Sequence, residues 1–288
     1  MAIPARSFGA AMRCFFVLLP AFAHAEGIDT EHVFAFMIGS DVGTVGEREF
    51  QSTTTGSFSK DGGRYAAFDQ EFEVEFLPAR NFRVEIGAAL AAHAIDGVAG
   101  FENRNEAGVQ GAALDLRYKF LDRDAAPFGL TLALESHASR IDEISAAPVR
   151  NYGAELILAL ERDVIPNVAV ATLNLSYQPE WNHFVGAQAG EQEATLGAAF
   201  GIMAQLQPGV LFGGEMRYFR RYEGIGLERL AGQALLVGPT AYFQLSERAR
   251  LTVNWSVQAW GRPAGSSPSL DLVNFERHQA RLVFGANF

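Results

Sequence analysis

Asp69, Glu71, Glu73 and Glu75 put four carboxylates at every second position of one short stretch, while Phe68, Phe72, Val74 and Phe76 occupy alternate positions. Successive side chains of an extended strand point to opposite faces, so this is an acidic ladder backed by a greasy one. Beyond Leu77-Pro78-Ala79-Arg80-Asn81, the next segment sends Arg83 and Glu85 to the same side as the ladder. Adjacent carboxylates without counter-charge repel one another, so cationic partners are expected from elsewhere in the fold. The candidates are Arg83, Arg117, Lys119, Arg217 and Arg281, with Asp115, Glu135, Glu155, Glu161 and Glu215 adding to the acidic side. Such a set either closes an interior as an ion-pair network or lines a narrow path that prefers cations, because rings of Asp and Glu set charge selectivity.

Other chemistry is sparse. His32, His93, His183 and His278 show no ligand spacing, so neither a metal nor a cofactor is expected. Gly224-Ile225-Gly226 lacks the strand-to-helix context of a phosphate loop. Arg6 and Arg13 precede an apolar run, Cys14 to Phe22, and the small-x-small site Ala23-His24-Ala25, which together read as a secretory signal peptide over residues 1–25. Cys14, the only cysteine, leaves with it, so the mature chain has no disulfide, thiol nucleophile or thiolate metal site. Loss of Arg6 and Arg13 leaves 21 basic against 33 acidic residues, a net charge of −12, which argues against nucleic acid as a partner.

No long apolar run follows residue 25, yet 49% of the residues are hydrophobic. Alternation reconciles the two. Five short turns, at 77–81, 121–124, 163–167, 207–209 and 246–249, recur about every 40 to 45 residues, each between alternating segments long enough to cross a membrane as tilted strands. With a first strand at Glu31 to Gly39 and a last at Glu276 to Phe288, the count is twelve. Longer polar connections, at 40–63, 95–106, 141–150, 181–192, 223–231 and 261–274, alternate with the short turns. Thr53-Thr54-Thr55-Gly56-Ser57 falls in the first of them, as a solvated loop. Rows such as Phe82, Val84, Ile86, Leu90 and Leu251, Val253, Trp255, Val257 would face lipid, and Phe76, Phe82, Phe120, Phe128, Phe243 and Phe288 gather beside the short turns as an aromatic girdle.

The signal peptide, the alternating hairpins and the terminal Leu282-Val283-Phe284-Gly285-Ala286-Asn287-Phe288 make the mature chain resemble a Gram-negative outer-membrane β-barrel. The resemblance implies an assembly signal at Phe288, insertion by the barrel-assembly machinery, periplasmic termini, and contact with outer-membrane lipids and lipopolysaccharide. Glu71-Phe72-Glu73-Val74-Glu75-Phe76 and Phe82-Arg83-Val84-Glu85-Ile86-Gly87 also look like hairpins of poorly characterised transporter-like barrels near aromatic-degradation pathways. His137-Ala138-Ser139, with Asn151 on the next strand, is similar to the outer-membrane phospholipases, which implies Ser139 as nucleophile, His137 as base and Asn151 as orienter. That family continues Ser-Asn-Gly where this chain reads Ser139-Arg140-Ile141, and parity turns the pair toward the lumen. Tyr218-Phe219-Arg220-Arg221-Tyr222 would lie at the outer rim, gripping lipopolysaccharide phosphates or simply forming a girdle with snorkelling arginines.

The expected fold is therefore all-β: a transmembrane antiparallel up-and-down barrel of about twelve strands occupying residues 26–288 as one domain. The expected function is non-enzymatic, a narrow cation-leaning channel or transporter-like barrel for small solutes. The rivals are a closed barrel acting structurally or through its loops, and a lipid hydrolase centred on Ser139.

Overall fold

The computed structural model describes residues 28–267 and 269–288, so the expected signal peptide and its cleavage boundary lie outside the described residues. Twelve strands follow one another in the chain: β1 (Arg48–Phe58), β2 (Arg64–Ala79), β3 (Phe82–Asp96), β4 (Arg104–Leu121), β5 (Gly129–Ile141), β6 (Pro148–Ile165), β7 (Ala169–Phe184), β8 (Glu191–Gln207), β9 (Val210–Glu223), β10 (Arg229–Gln244), β11 (Ala249–Pro263) and β12 (His278–Asn287). Each pairs antiparallel with its neighbours in sequence, and β1 pairs with β12, Phe50 opposite Ala286 and Thr54 opposite Leu282, so the sheet closes on itself. Closure leaves no unpaired edge.

The chain's alternation decides which way each strand faces. Phe72, Ile86, Leu114, Leu134, Leu156, Phe200, Phe212 and Trp255 stand exposed on the outer surface, whereas Arg83, Glu85, Asp115, Glu161, Glu215 and Arg250 are buried inside. This inverts a water-soluble protein and is the arrangement a lipid-embedded barrel requires. At one end the strands are joined by short turns, several closed by left-handed residues: Asn81 (φ 64°), Asn167 (φ 59°) and Gly209 (φ 76°). Asn and Gly adopt that conformation at little cost.

Two expectations are corrected. Residues 31–39 are not a strand, and the first strand is Arg48–Phe58, which contains the Thr53–Ser57 stretch read as a loop. The outward positions of β1 include Ser52 and Thr54, which weaken its apolar row. Gln70 of β2 satisfies both, accepting from the Thr54 hydroxyl at 2.6 Å and donating to Ser52 Oγ at 3.0 Å. Ladder pairing on both sides overrides the weak pattern. Of the six far-end connections, the last is as long as expected but shifted to residues 264–277, and the other five are shorter than expected, because strands such as β4 and β6 run to 18 residues. At about 3.3 Å per residue that is roughly 60 Å, well beyond the bilayer's hydrocarbon core; pairing simply continues past the apolar band.

Some strand pairs approach so closely that only glycine fits. A Cβ on Gly213 of β9 would lie 1.9 Å from the Ile202 carbonyl oxygen of β8, and one on Gly238 of β10 would lie 2.2 Å from the Trp255 carbonyl oxygen of β11. Gly213→Ala is therefore expected to lower stability by about 1–3 kcal/mol through forced backbone movement. The midpoint of denaturant unfolding of the refolded barrel measures it, and an unshifted midpoint would show that the strands yield freely.

Candidate functional site: a plugged lumen with an acidic belt

The segment before β1 enters the barrel and crosses its interior near the short-turn end. Its polar groups are taken up by walls on every side. Arg83 Nη1 of β3 donates to Glu31 Oε1 at 2.7 Å, Thr131 Oγ1 of β5 to the Ser40 carbonyl at 2.5 Å, and Thr252 Oγ1 of β11 to the His32 carbonyl at 2.8 Å. Glu161 of β6 accepts from Thr30 Oγ1 at 2.6 Å and from Ser40 Oγ at 2.9 Å. Asn174 of β7 exchanges two bonds with the Ile38 backbone, at 2.8 and 2.9 Å. The Glu215 carboxylate of β9 accepts the Ala35 and Phe36 amides at 2.8 and 2.9 Å. Arg281 of β12 donates to the Ala35 carbonyl at 3.3 Å. Val33, Phe34 and Met37 fill the remaining space against Val170, Met203 and Leu211. Bonds to seven strands around the circumference make this segment a plug rather than a strand.

Starting beside the plug, strand register builds something no single segment shows. Glu49 lies opposite Glu75, Glu75 opposite Glu85, Glu85 opposite Asp115, Asp115 opposite Glu135, and Glu135 opposite Glu155. Six carboxylates thus form one belt across β1 to β6. Like charges directly opposite one another destabilise a sheet, so the belt needs compensation. Part of it comes from the row beneath. Arg83 contacts Glu75 at 3.5 Å and Glu85 at 2.5 Å, Arg117 contacts Glu85 at 3.0 Å and Asp115 at 2.6 Å, and Arg250 bonds Glu49. Glu135, Glu155, Glu71 and Glu73 make no ion pair among the described residues.

These residues and the plug enclose a central cavity of about 280 Å³, lined by Glu71, Glu73, Arg83, Glu85, Asp115, Arg117, Glu135, Glu155, Arg217 and Arg281 among others. The two arginines on the far wall do not reach the carboxylates as expected. Their guanidinium carbons lie 3.6 Å (Arg217) and 4.2 Å (Arg281) from the centroid of the Phe36 ring, so the plug's aromatic ring is held by two cations. Cross-barrel pairing is replaced by pairing between near strands, within β2 to β4 and from β11 to β1, because cations there reach the acids first.

The remaining expected network members are dispersed. Asp69 lines a second cavity of about 230 Å³ nearer the long-loop end, reached past Arg217 and Phe219. Phe275, from the β11–β12 connection, stacks on Phe219 with centroids 6.3 Å apart and narrows the passage. Lys119 sits at the short-turn end, donating to Asp122 at 2.8 Å, and that bond holds the Asp122 carboxyl below its usual range. Burial, with Arg250 and Arg83 adding to it, holds the His32 imidazole of the plug well below its usual range. Burial likewise pushes Glu143, in the β5–β6 loop, well above the usual carboxylate range. That loop caps the lumen through the Tyr65 hydroxyl, which donates to the Ile144 carbonyl at 2.9 Å.

Ser139 and Asn151 lie opposite each other in β5 and β6 and line the second cavity, but Asn151 Nδ2 is committed to Asn182 at 2.6 Å and Glu180 at 3.1 Å. No hydrogen bond joins His137 to Ser139 among the described residues, and the imidazole occupies the space a side chain at Gly153 would take. The five-residue rim motif also divides. Arg221 turns inward and grips Glu193 through two nitrogens, at 2.6 and 3.1 Å, so it is unavailable to lipopolysaccharide. The plug itself and the in-register belt escaped sequence reasoning. Apolar residues on both parities of Val33 to Met37 were the available signal for the first.

A closed barrel with an apolar exterior and a charged, internally plugged lumen has the architecture of outer-membrane barrels. In solved structures the chain is similar to the COG4313 outer membrane channel from Pseudomonas putida F1, at a TM-score of 0.61 and 10% identity over 86% of this chain and 98% of that one. More distant barrels include the translocator domain of autotransporter NalP from Neisseria meningitidis (TM-score 0.47, 14% identity, 86% and 90% covered) and the beta domain of the Bordetella autotransporter BrkA (0.47, 14%, 84% and 99%). No curated protein sequence matches it. Residues 26–288 match the family of unknown function DUF6662, and the chain belongs to that family.

Proposed function

We propose that this protein is an outer-membrane channel for small polar solutes, cation-leaning, whose N-terminal segment is a gate held in the closed position. The belt of six in-register carboxylates carries this reading. A belt that costs stability, left without cations at Glu135 and Glu155 and facing a cavity, is suited to attracting positive charge. The plug is bound by side-chain hydrogen bonds rather than by a strand ladder, so it can leave without opening the barrel wall. In this reading the signal peptide exports the chain, the assembly machinery recognises Phe288, and the short turns and both termini face the periplasm. The likeness to the Pseudomonas putida channel supports the fold on which this rests.

The test is current across a planar bilayer, with reversal potential read in a salt gradient. Wild-type barrels should open rarely and pass cations in preference to anions. Changing both Glu135 and Glu155 to Gln should move the reversal potential toward zero. A barrel with its plug released that stays silent, or prefers anions, would reject the reading. The second reading, a closed barrel acting through its loops, is favoured by the plug's bonds to seven strands, and silence in the released barrel is what it predicts.

A further inference from the structure

Near the short-turn end, the plug brings a histidine into a nest of carboxylates that no sequence spacing foreshadows. His32 Nε2 lies 3.8 Å from Glu31 Oε1, 3.7 Å from Glu49 Oε1 and 3.7 Å from Glu75 Oε2. These contacts are too long for hydrogen bonds. They are the right length for something else, since an ion about 2.1 Å from each ligand atom sets those atoms roughly 3.0–4.2 Å apart.

The buried atoms here without a hydrogen-bond partner include guanidinium nitrogens of Arg83 and Arg250 and two that face each other, His32 Nε2 and Glu75 Oε2, the latter on a side chain only 2% exposed. An orphaned buried carboxylate oxygen is costly, and it points at an orphaned imidazole nitrogen. The local charge is also unbalanced. Glu31, Glu49, Glu75, Glu85 and Asp115 face only Arg83, Arg117 and Arg250, five carboxylates against three guanidiniums. The excess equals the charge of one divalent ion. Arg83 and Arg250 bond Glu31 Oε1 and Glu49 Oε1, each of which retains a second lone pair.

We propose that His32, Glu31 and Glu75, whose ligand atoms all lie within 4.8 Å of one another, bind one divalent transition-metal ion and so fasten the plug to β2. One imidazole nitrogen with carboxylate oxygens suits zinc or manganese rather than calcium or magnesium. The inference stands apart from conduction, because it requires only that the plug be seated.

The probe is Zn²⁺ alone, titrated calorimetrically into the full mature protein folded in detergent and stripped with EDTA. One equivalent should bind. His32→Gln and Glu75→Gln should each weaken binding at least tenfold, a loss on the scale expected for perturbing a metal site, while heat-modifiable gel mobility shows both barrels folded. Failure of the folded wild type to bind a stoichiometric ion would overturn the proposal, as would undiminished binding by both variants.

Discussion

Glu161→Ala should convert the barrel from rare openings to steady current. The Glu161 carboxylate joins more of the plug than any other wall residue described above. It accepts from Thr30 Oγ1, from the Ser40 amide at 3.3 Å and hydroxyl, from Thr172 Oγ1 at 2.7 Å, and pairs with Arg123 Nη1 at 2.8 Å. Its removal strips the plug of three bonds to a charged group, while Arg123 keeps its pair with Asp41 of the plug at 3.1 Å. Hydrogen bonds to a charged group contribute about 1.5–3 kcal/mol each. Each 1.4 kcal/mol is tenfold in population, so release of the plug should rise by more than about a hundredfold. Barrel folding should survive, because Glu161 contributes to the ladder through its backbone, which alanine keeps. Single-channel recording checks the outcome, and an unchanged open probability would mean the plug is held by its apolar contacts with Val170, Met203 and Leu211 instead.

Arg83→Met should be the most destabilising single change in the barrel wall. The guanidinium is 1% exposed and is shared among Glu31, Glu75 and Glu85. Methionine of similar length would leave three carboxylates beside one another, two of them directly opposite across β2 and β3. A loss of about 3–5 kcal/mol is expected from uncompensated buried charge. Denaturant unfolding of the refolded protein measures it. Adding Glu75→Gln to the same chain should recover part of the loss, since Glu75 has no other guanidinium partner among the described residues whereas Glu85 keeps Arg117, and the absence of recovery would show that Arg83 acts through packing alone.

Much of the architecture was legible because a barrel in lipid imposes a period of two. Phe72, Val74 and Phe76 against Glu71, Glu73 and Glu75 declare a strand and its two faces without any knowledge of neighbours. The same rule failed where both rows carry the same character. Val33 to Met37 is apolar on both parities because it is surrounded, and in β1 the outward row between Phe50 and Phe58 turns polar because Gln70 shields Ser52 and Thr54.

Local alternation and turn chemistry were thus enough for an all-β barrel and the inward direction of its charged rows, whereas the count of twelve came out right only because a strand expected at residues 31–39 stood in for β1. Only the tertiary structure decided what those rows become. Register across five hairpin and loop connections aligned Glu49, Glu75, Glu85, Asp115, Glu135 and Glu155 into one belt, and a one-residue slip at any connection would break it. The fold of residues 28–47 brought His32 to Glu49 and Glu75, because side chains far apart in the chain meet only when the barrel closes around the plug.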